Sequence, residues 1–161
     1  MNEKISIAIA SDLSGFPLKQ AIVDHLKERG DIEFLDFGID SVETPKPYFE
    51  QAPKVAKAVQ SKRVDKGILI CGTGQGMAIV ANKHKGIYAC VVDDIFSGER
   101  AKIINNANII TMGGWITAPF FGTQIVDAWL GMKFTQKMEF KREFLENAFR
   151  QVQELEKENF K

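Results

Sequence analysis

Two alternating periods in the sequence predict an α/β fold: a five-stranded parallel sheet layered between helices, with an amphipathic C-terminal helix. Short β-branched apolar runs recur along the chain, and each is followed by apolar residues at helical spacing. The runs are apolar on both faces, as strands covered by helices on each side must be. A length of 161 residues suits one hydrophobic core, so residues 1–161 are expected to form a single domain.

The elements follow in order. Ile5 to Ala10 is nearly all apolar and reads as the first strand. Leu18, Ala21, Ile22 and Leu26 recur at helical spacing, and Gly30 is a natural C-terminal stop. Glu33 to Phe37 reads as a second strand. The loop Ser41 to Pro47 contains two prolines and precedes a helix carrying Phe49, Ala52, Val55, Ala56 and Val59. Gly67 to Ile70 is a third strand, with a short helix from Met77 to Asn82. Tyr88 to Val92 is a fourth, followed by a helix through Glu99 and Lys102. Ile109 to Met112 is a fifth, followed by a helix with Ile125, Val126, Trp129 and Leu130. Strand–helix alternation of this kind gives a Rossmann-like three-layer sandwich. Ligands in such sheets sit beyond the carboxyl ends of the strands. Those ends are marked by Ser11-Asp12, Cys71 onward, Asp93-Asp94 and Gly113-Gly114. Finally, about residues 138–160, Phe140, Phe144, Leu145, Ala148, Phe149, Val152 and Leu155 fall on one stripe of a long helix. That stripe needs a surface, either its own domain or a neighbouring subunit.

Composition narrows the function classes. The chain is 45% hydrophobic with a formal net charge of zero, which argues against a nucleic-acid groove or a polybasic membrane surface. A local cationic pocket for a phosphate stays open. Asn2, Glu3 and Lys4 lead straight into the first strand with no secretory pattern, and no apolar run is long enough to span a bilayer. Cys71 and Cys90 are too few for a disulfide framework and lack metal-ligand spacing. A cytoplasmic protein without metal or other cofactor is expected.

The chemistry centres on Cys71-Gly72-Thr73-Gly74-Gln75-Gly76, directly behind the third strand. Glycine at every second position lets the backbone turn tightly and aim N–H groups at one spot, and a helix N-terminus adds positive partial charge. Such a loop binds a phosphate, a carboxylate or an enolate-like oxyanion. A cysteine at its mouth is placed to act as base or nucleophile, against the alternative of a buried structural residue. Cys90, inside a strand, has no such setting. A dinucleotide fingerprint competes: Gly72 and Gly74 open one, and Asp93 follows at about 20 residues, but Met77 stands where its third glycine belongs.

The run Gly67 to Gly76, followed by Ala81-Asn82-Lys83, resembles the type B ribose-5-phosphate isomerase and galactose-6-phosphate isomerase family. Ser11-Asp12 with Gly15-Phe16 and Leu18-Lys19, Asn105 with Asn108, and Val126 to Gly131 add to the resemblance, which reaches about Gly131. The resemblance implies aldose–ketose isomerisation of a phosphorylated sugar through a cis-enediolate. It makes Cys71 the base; the proton donor stays open among Asp12, Thr73 and Asn105, with Thr73 beside Cys71 read as a second catalytic residue. Gly72, Gly74, Gln75 and Gly76 hold the negative oxygen. Ser11, Asp12, Asn105 and Arg142 contact substrate, Asn105 coming from a partner subunit. A homodimer or homotetramer is therefore implied.

Several family positions are altered. Leu13 and Ile104 stand where the family has histidines, the second of which helps to open the sugar ring. Trp115 replaces an arginine, and Met138 occupies the place of one of two phosphate-binding arginines, leaving Arg142, with Lys137 and Lys141 as substitutes. The only histidines are His25 and His84, read as exposed or packed rather than catalytic. Three explanations compete: an open-chain or shorter sugar phosphate, the B-type subunit of a hetero-oligomeric galactose-6-phosphate isomerase, or a binding protein without turnover.

Overall fold

β1 (Ile5–Ser11) and β3 (Lys66–Cys71) form the centre of the sheet because their side chains are apolar on both faces. A computed structural model describes residues 4–160. The chain continues through α1 (Phe16–Arg29), β2 (Ile32–Asp36), α2 (Tyr48–Gln60), α3 (Gln75–Ala81), β4 (Ala89–Val91), α4 (Ile95–Ile103), β5 (Ile109–Gly113), α5 (Pro119–Leu130) and α6 (Arg142–Asn159). All strand pairs are parallel, in the order β2-β1-β3-β5-β4. The expected five-stranded α/β sheet is therefore present.

Side-chain alternation builds two half-cores. Ile7, Ile9, Ile68, Ile70, Ile110 and Met112 face Leu18, Ile22 and Leu26 of α1 and Ile125, Val126 and Trp129 of α5. Ala8, Ala10, Leu69, Cys71 and Ile109 face Ala52, Val55 and Val59 of α2 and Met77 and Ala81 of α3. Each fully buried isoleucine contributes about 1.5–3 kcal/mol relative to exposure, so the first layer alone holds the sheet against two helices.

β2 lies on one side of β1 and β3 on the other, so the order of strands reverses between β1 and β3. An open crevice forms at the carboxyl ends of strands where the order reverses. Here those ends carry Asp12 and Cys71.

The C-terminal stripe divides. A 3₁₀ turn over Glu139–Lys141 precedes α6, which starts later than the expected position 138 because the chain first has to turn. Leu145 is buried, and Phe149 packs edge-on to Tyr88 (5.0 Å, 72°) and tilted on Phe134. Glu156 accepts hydrogen bonds from the Gly86 N–H and the Tyr88 hydroxyl. Phe140, Phe144, Val152 and Leu155 remain exposed. One row of the stripe covers this chain and the other has no cover within it.

Candidate active site

Cys71 ends β3, opposite Gly113 of β5, and is 5% exposed. Its Sγ accepts a hydrogen bond from the Gly74 N–H at 3.1 Å. The loop can fold back this way because Gly74 has φ +81°, and a Cβ there would lie 2.9 Å from the Met112 carbonyl carbon. The first-turn amides of α3 then open toward the crevice without an intrahelical acceptor. The Thr73 hydroxyl accepts a long 3.4 Å bond from the Gln75 N–H.

The neighbouring strand ends clamp this loop. Gly114 N–H donates to the Cys71 carbonyl (2.7 Å), Trp115 N–H to the Gly72 carbonyl (3.0 Å) and Asp12 N–H to the Ile70 carbonyl (3.1 Å). The indole of Trp115 lies against Gly72 and the ring of Tyr48 against Gly76, so neither glycine has room for a side chain. Trp115 is 75% exposed and Leu13 46% exposed. Asp12 accepts from the Gly15 N–H at 3.0 Å. Burial pushes its carboxyl above the usual range, opposed by the backbone N–H bonds of Gly15 and Ser14.

Ser11 is fully buried and its hydroxyl has no partner, so its backbone holds the corner. Ser11 N–H donates to Gly38, Ile39 N–H donates to Ser11, and the buried Gln51 amide donates to the same Ser11 carbonyl. The fully buried Lys19 ammonium donates at 2.7 Å to both Asp36 carboxylate oxygens and to the Ile39 carbonyl. Sequence reading did not mark Tyr48, Gln51 or the structural use of Lys19. A buried lysine is legible only once its carboxylate is in place.

Asp12, Cys71, Gly72, Thr73, Gly74, Gln75 and Gly76 come together; Asn105 and Arg142 do not join them. Asn105 is exposed in the loop entering β5, at the amino end of the sheet. The Gly67 N–H donates to the Asn108 carbonyl there, and from Gly67 to Cys71 the strand advances about 13 Å at ~3.3 Å per residue. Arg142 lies at that same end, because its Nε donates to Thr135 Oγ1 and the Thr135 N–H donates to the Ile103 carbonyl. Lys137 is tied to Glu99 at 2.8 Å. His25 pairs with Asp127, and His84 ends the turn after α3, both away from Cys71. Asp94 caps α4 by accepting from the Ser97 N–H. Among the described residues no cluster of His, Cys, Asp or Glu is placed to hold a metal ion, and no helix is long and apolar enough to cross a membrane.

The fold with its cysteine at the β1–β3 crevice has close counterparts. The profile of the Ribose/Galactose Isomerase family matches residues 7–146. The chain belongs to that family. It is 43% identical over 153 residues to the 4-deoxy-4-sulfo-D-erythrose isomerase of Clostridium sp. (strain MSTE9), covering 94% of this chain and 96% of the relative. It is 46% identical over 132 residues to the ribose-5-P isomerase B of Listeria innocua, covering 81% and 87%. Among solved structures, Clostridium thermocellum ribose-5-phosphate isomerase B superimposes with a TM-score of 0.87 at 36% identity, covering 96% of this chain and 99% of that one. The protein is a sugar-phosphate isomerase of the ribose-5-phosphate isomerase B type.

Proposed function

We propose that the protein interconverts an aldose and its ketose through a cis-enediolate, with Cys71 as the base. The observation that carries this is the Cys71 Sγ, held by the Gly74 N–H at the mouth of the glycine loop. The thiolate takes the proton from the carbon beside the aldehyde, and the electron pair moves through C1–C2 onto the carbonyl oxygen. Return of the proton to C1, with transfer of a hydroxyl proton from O2 to O1, completes the ketose. Preorganised loop amides stabilise the negative oxygen, the largest contribution such a site can make. The half-buried carboxyl of Asp12 stands at the same crevice, suited to carry the oxygen-to-oxygen proton.

The relatives named for ribose-5-P and for 4-deoxy-4-sulfo-D-erythrose share a 2-hydroxyaldehyde end and a terminal anion. That common chemistry supports an aldose with both features as the substrate here. The anion needs a cation, and Arg142 meets no carboxylate among the described ion pairs. Because Asn105 and Arg142 lie at the far end of their own chain, a second copy supplies them. Exposed Phe144, Val152 and Leu155 on one end, and Trp115, Ile116 and Phe120 near the other, give apolar surfaces for that contact.

The test is deuterium wash-in from heavy water at C2 of the recovered aldose, with Cys71→Ala as control. Exchange lost in the variant is the expected result. Saturable binding that survives Cys71→Ala, with no exchange in either protein, would instead identify a binding module. Exchange only after addition of a paralogous chain would identify a hetero-oligomer subunit.

A further inference from the structure

We infer that this site acts only on the open-chain form of its aldose and so favours one that cannot close into a ring, a short chain whose ring-forming hydroxyl is absent or esterified. The inference rests on the isomerase reading above and concerns its substrate class. Opening a cyclic sugar needs its own acid–base pair, one group to protonate the ring oxygen and one to take the anomeric proton. Isomerisation already occupies two groups, the Cys71 thiol and the Asp12 carboxyl.

The two segments that run on from Asp12 and from β5 beside Cys71 hold no second pair. Residues 13–16 beyond β1 are Leu, Ser, Gly and Phe; residues 114–118 beyond β5 are Gly, Trp, Ile, Thr and Ala. Neither segment titrates. Leu13 is exposed next to Asp12, and the indole of Trp115 lies against Gly72, so the side chains that stand there are hydrocarbon and indole. An indole N–H donates a hydrogen bond but transfers no proton in water. The segment from a second copy brings Ile103, Ile104, Asn105, Asn106, Ala107 and Asn108, again without an acid or base. His25 and His84, the residues best suited to the task, are bonded at the amino-end side to Asp127 and to the Val80 and Ala81 carbonyls.

A five-carbon aldose phosphorylated at O5 closes through its O4 hydroxyl. A four-carbon aldose bearing its anion at C4 has no free hydroxyl at the right distance, and it stays open or hydrated. The first must wait for water to open its ring; the second arrives ready for Cys71.

The experiment measures initial rates against enzyme concentration for D-erythrose 4-phosphate and D-ribose 5-phosphate in one buffer, alongside Cys71→Ala prepared identically. With erythrose 4-phosphate the rate should stay proportional to enzyme throughout. With ribose 5-phosphate it should level at the rate of uncatalysed ring opening, and that ceiling should rise when imidazole buffer, which catalyses opening, is added. On total sugar, kcat/KM should be lower for ribose 5-phosphate by the reciprocal of its open-chain fraction, more than about a hundredfold. A ribose 5-phosphate rate that climbs with enzyme past the uncatalysed opening rate overturns the inference while leaving Cys71 as base. No Cys71-dependent turnover of either aldose overturns both.

Discussion

Replacing Lys19 by methionine tests how the substrate corner is held. The side chain keeps its length and apolar stem while the ammonium is lost. That ammonium makes three 2.7 Å contacts, two to Asp36 and one to the Ile39 carbonyl, and Lys19 is fully buried. Removing one partner of a buried pair costs about 3–5 kcal/mol, since the other charge is left without compensation. The Asp36 side chain is 26% exposed and keeps the Gly38 N–H at 2.9 Å, which places the loss at the low end, about 3 kcal/mol. For a chain of this size that is a fall of roughly 6–12 °C in Tm. Urea unfolding at pH 7 measures it directly, with the m value expected to stay as in the parent. Asp36→Asn in the Lys19→Met background should cost far less than in the parent, the coupling expected of one shared interaction. Activity should fall as well, in kcat more than in KM. Lys19 holds Ile39, Ile39 bonds Ser11, and Ser11 precedes Asp12. A loss below about 1 kcal/mol with an unchanged m value would refute this, since it would make the pair worth no more than a surface ion pair.

Other outcomes follow from single contacts. Gly74→Ala must hold φ near +81° and press a methyl on the Met112 backbone; a loss above about 2 kcal/mol and of most activity is expected from chemical unfolding and the isomerase assay. Cys71→Ala and Asn105→Ala, each inactive, should regain about a quarter of the parent activity when unfolded and refolded together, since a mixed pair rebuilds one whole site; no recovery would place Asn105 outside the site. Lys66 is pushed down to about 8, first by burial and then by the charge of Lys102, and its ammonium lies 4.7 Å from the Trp129 ring. The unfolded chain keeps that proton to about pH 10, so this group adds stability as pH rises from 8 to 10; Lys66→Met should lack that rise, a difference on the order of 2 kcal/mol in paired unfolding curves. Burial and Glu156 push Tyr88 up to about 12, so its stabilising neutral form is retained up to pH 10 and lost on approach to 12; Glu156→Gln should move its ultraviolet phenolate titration down.

Local pattern and tertiary arrangement contributed differently to this protein. The strand runs, the helix stop at Gly30 and the glycine loop behind Cys71 were readable from residue order, because periodicity, left-handed backbone and apolar pairing are properties of neighbours in sequence. The absence of histidine at positions 13 and 104 was equally plain; the structure sets Leu13 beside Asp12 and Ile104 at the opposite end of the sheet. The stripe on α6 was visible as well, but not its division into a row over Tyr88 and a row left bare. Packing decides that, since equal apolar residues on one helix face meet different surroundings. Only the tertiary structure brought Lys19 to Asp36, Tyr48 to Gly76 and Trp115 to Gly72. Only the strand order set Asp12 beside Cys71 and Asn105 at the opposite end of the sheet. Those relations depend on which strands pair and on the length a strand spans, and no local sequence window encodes either.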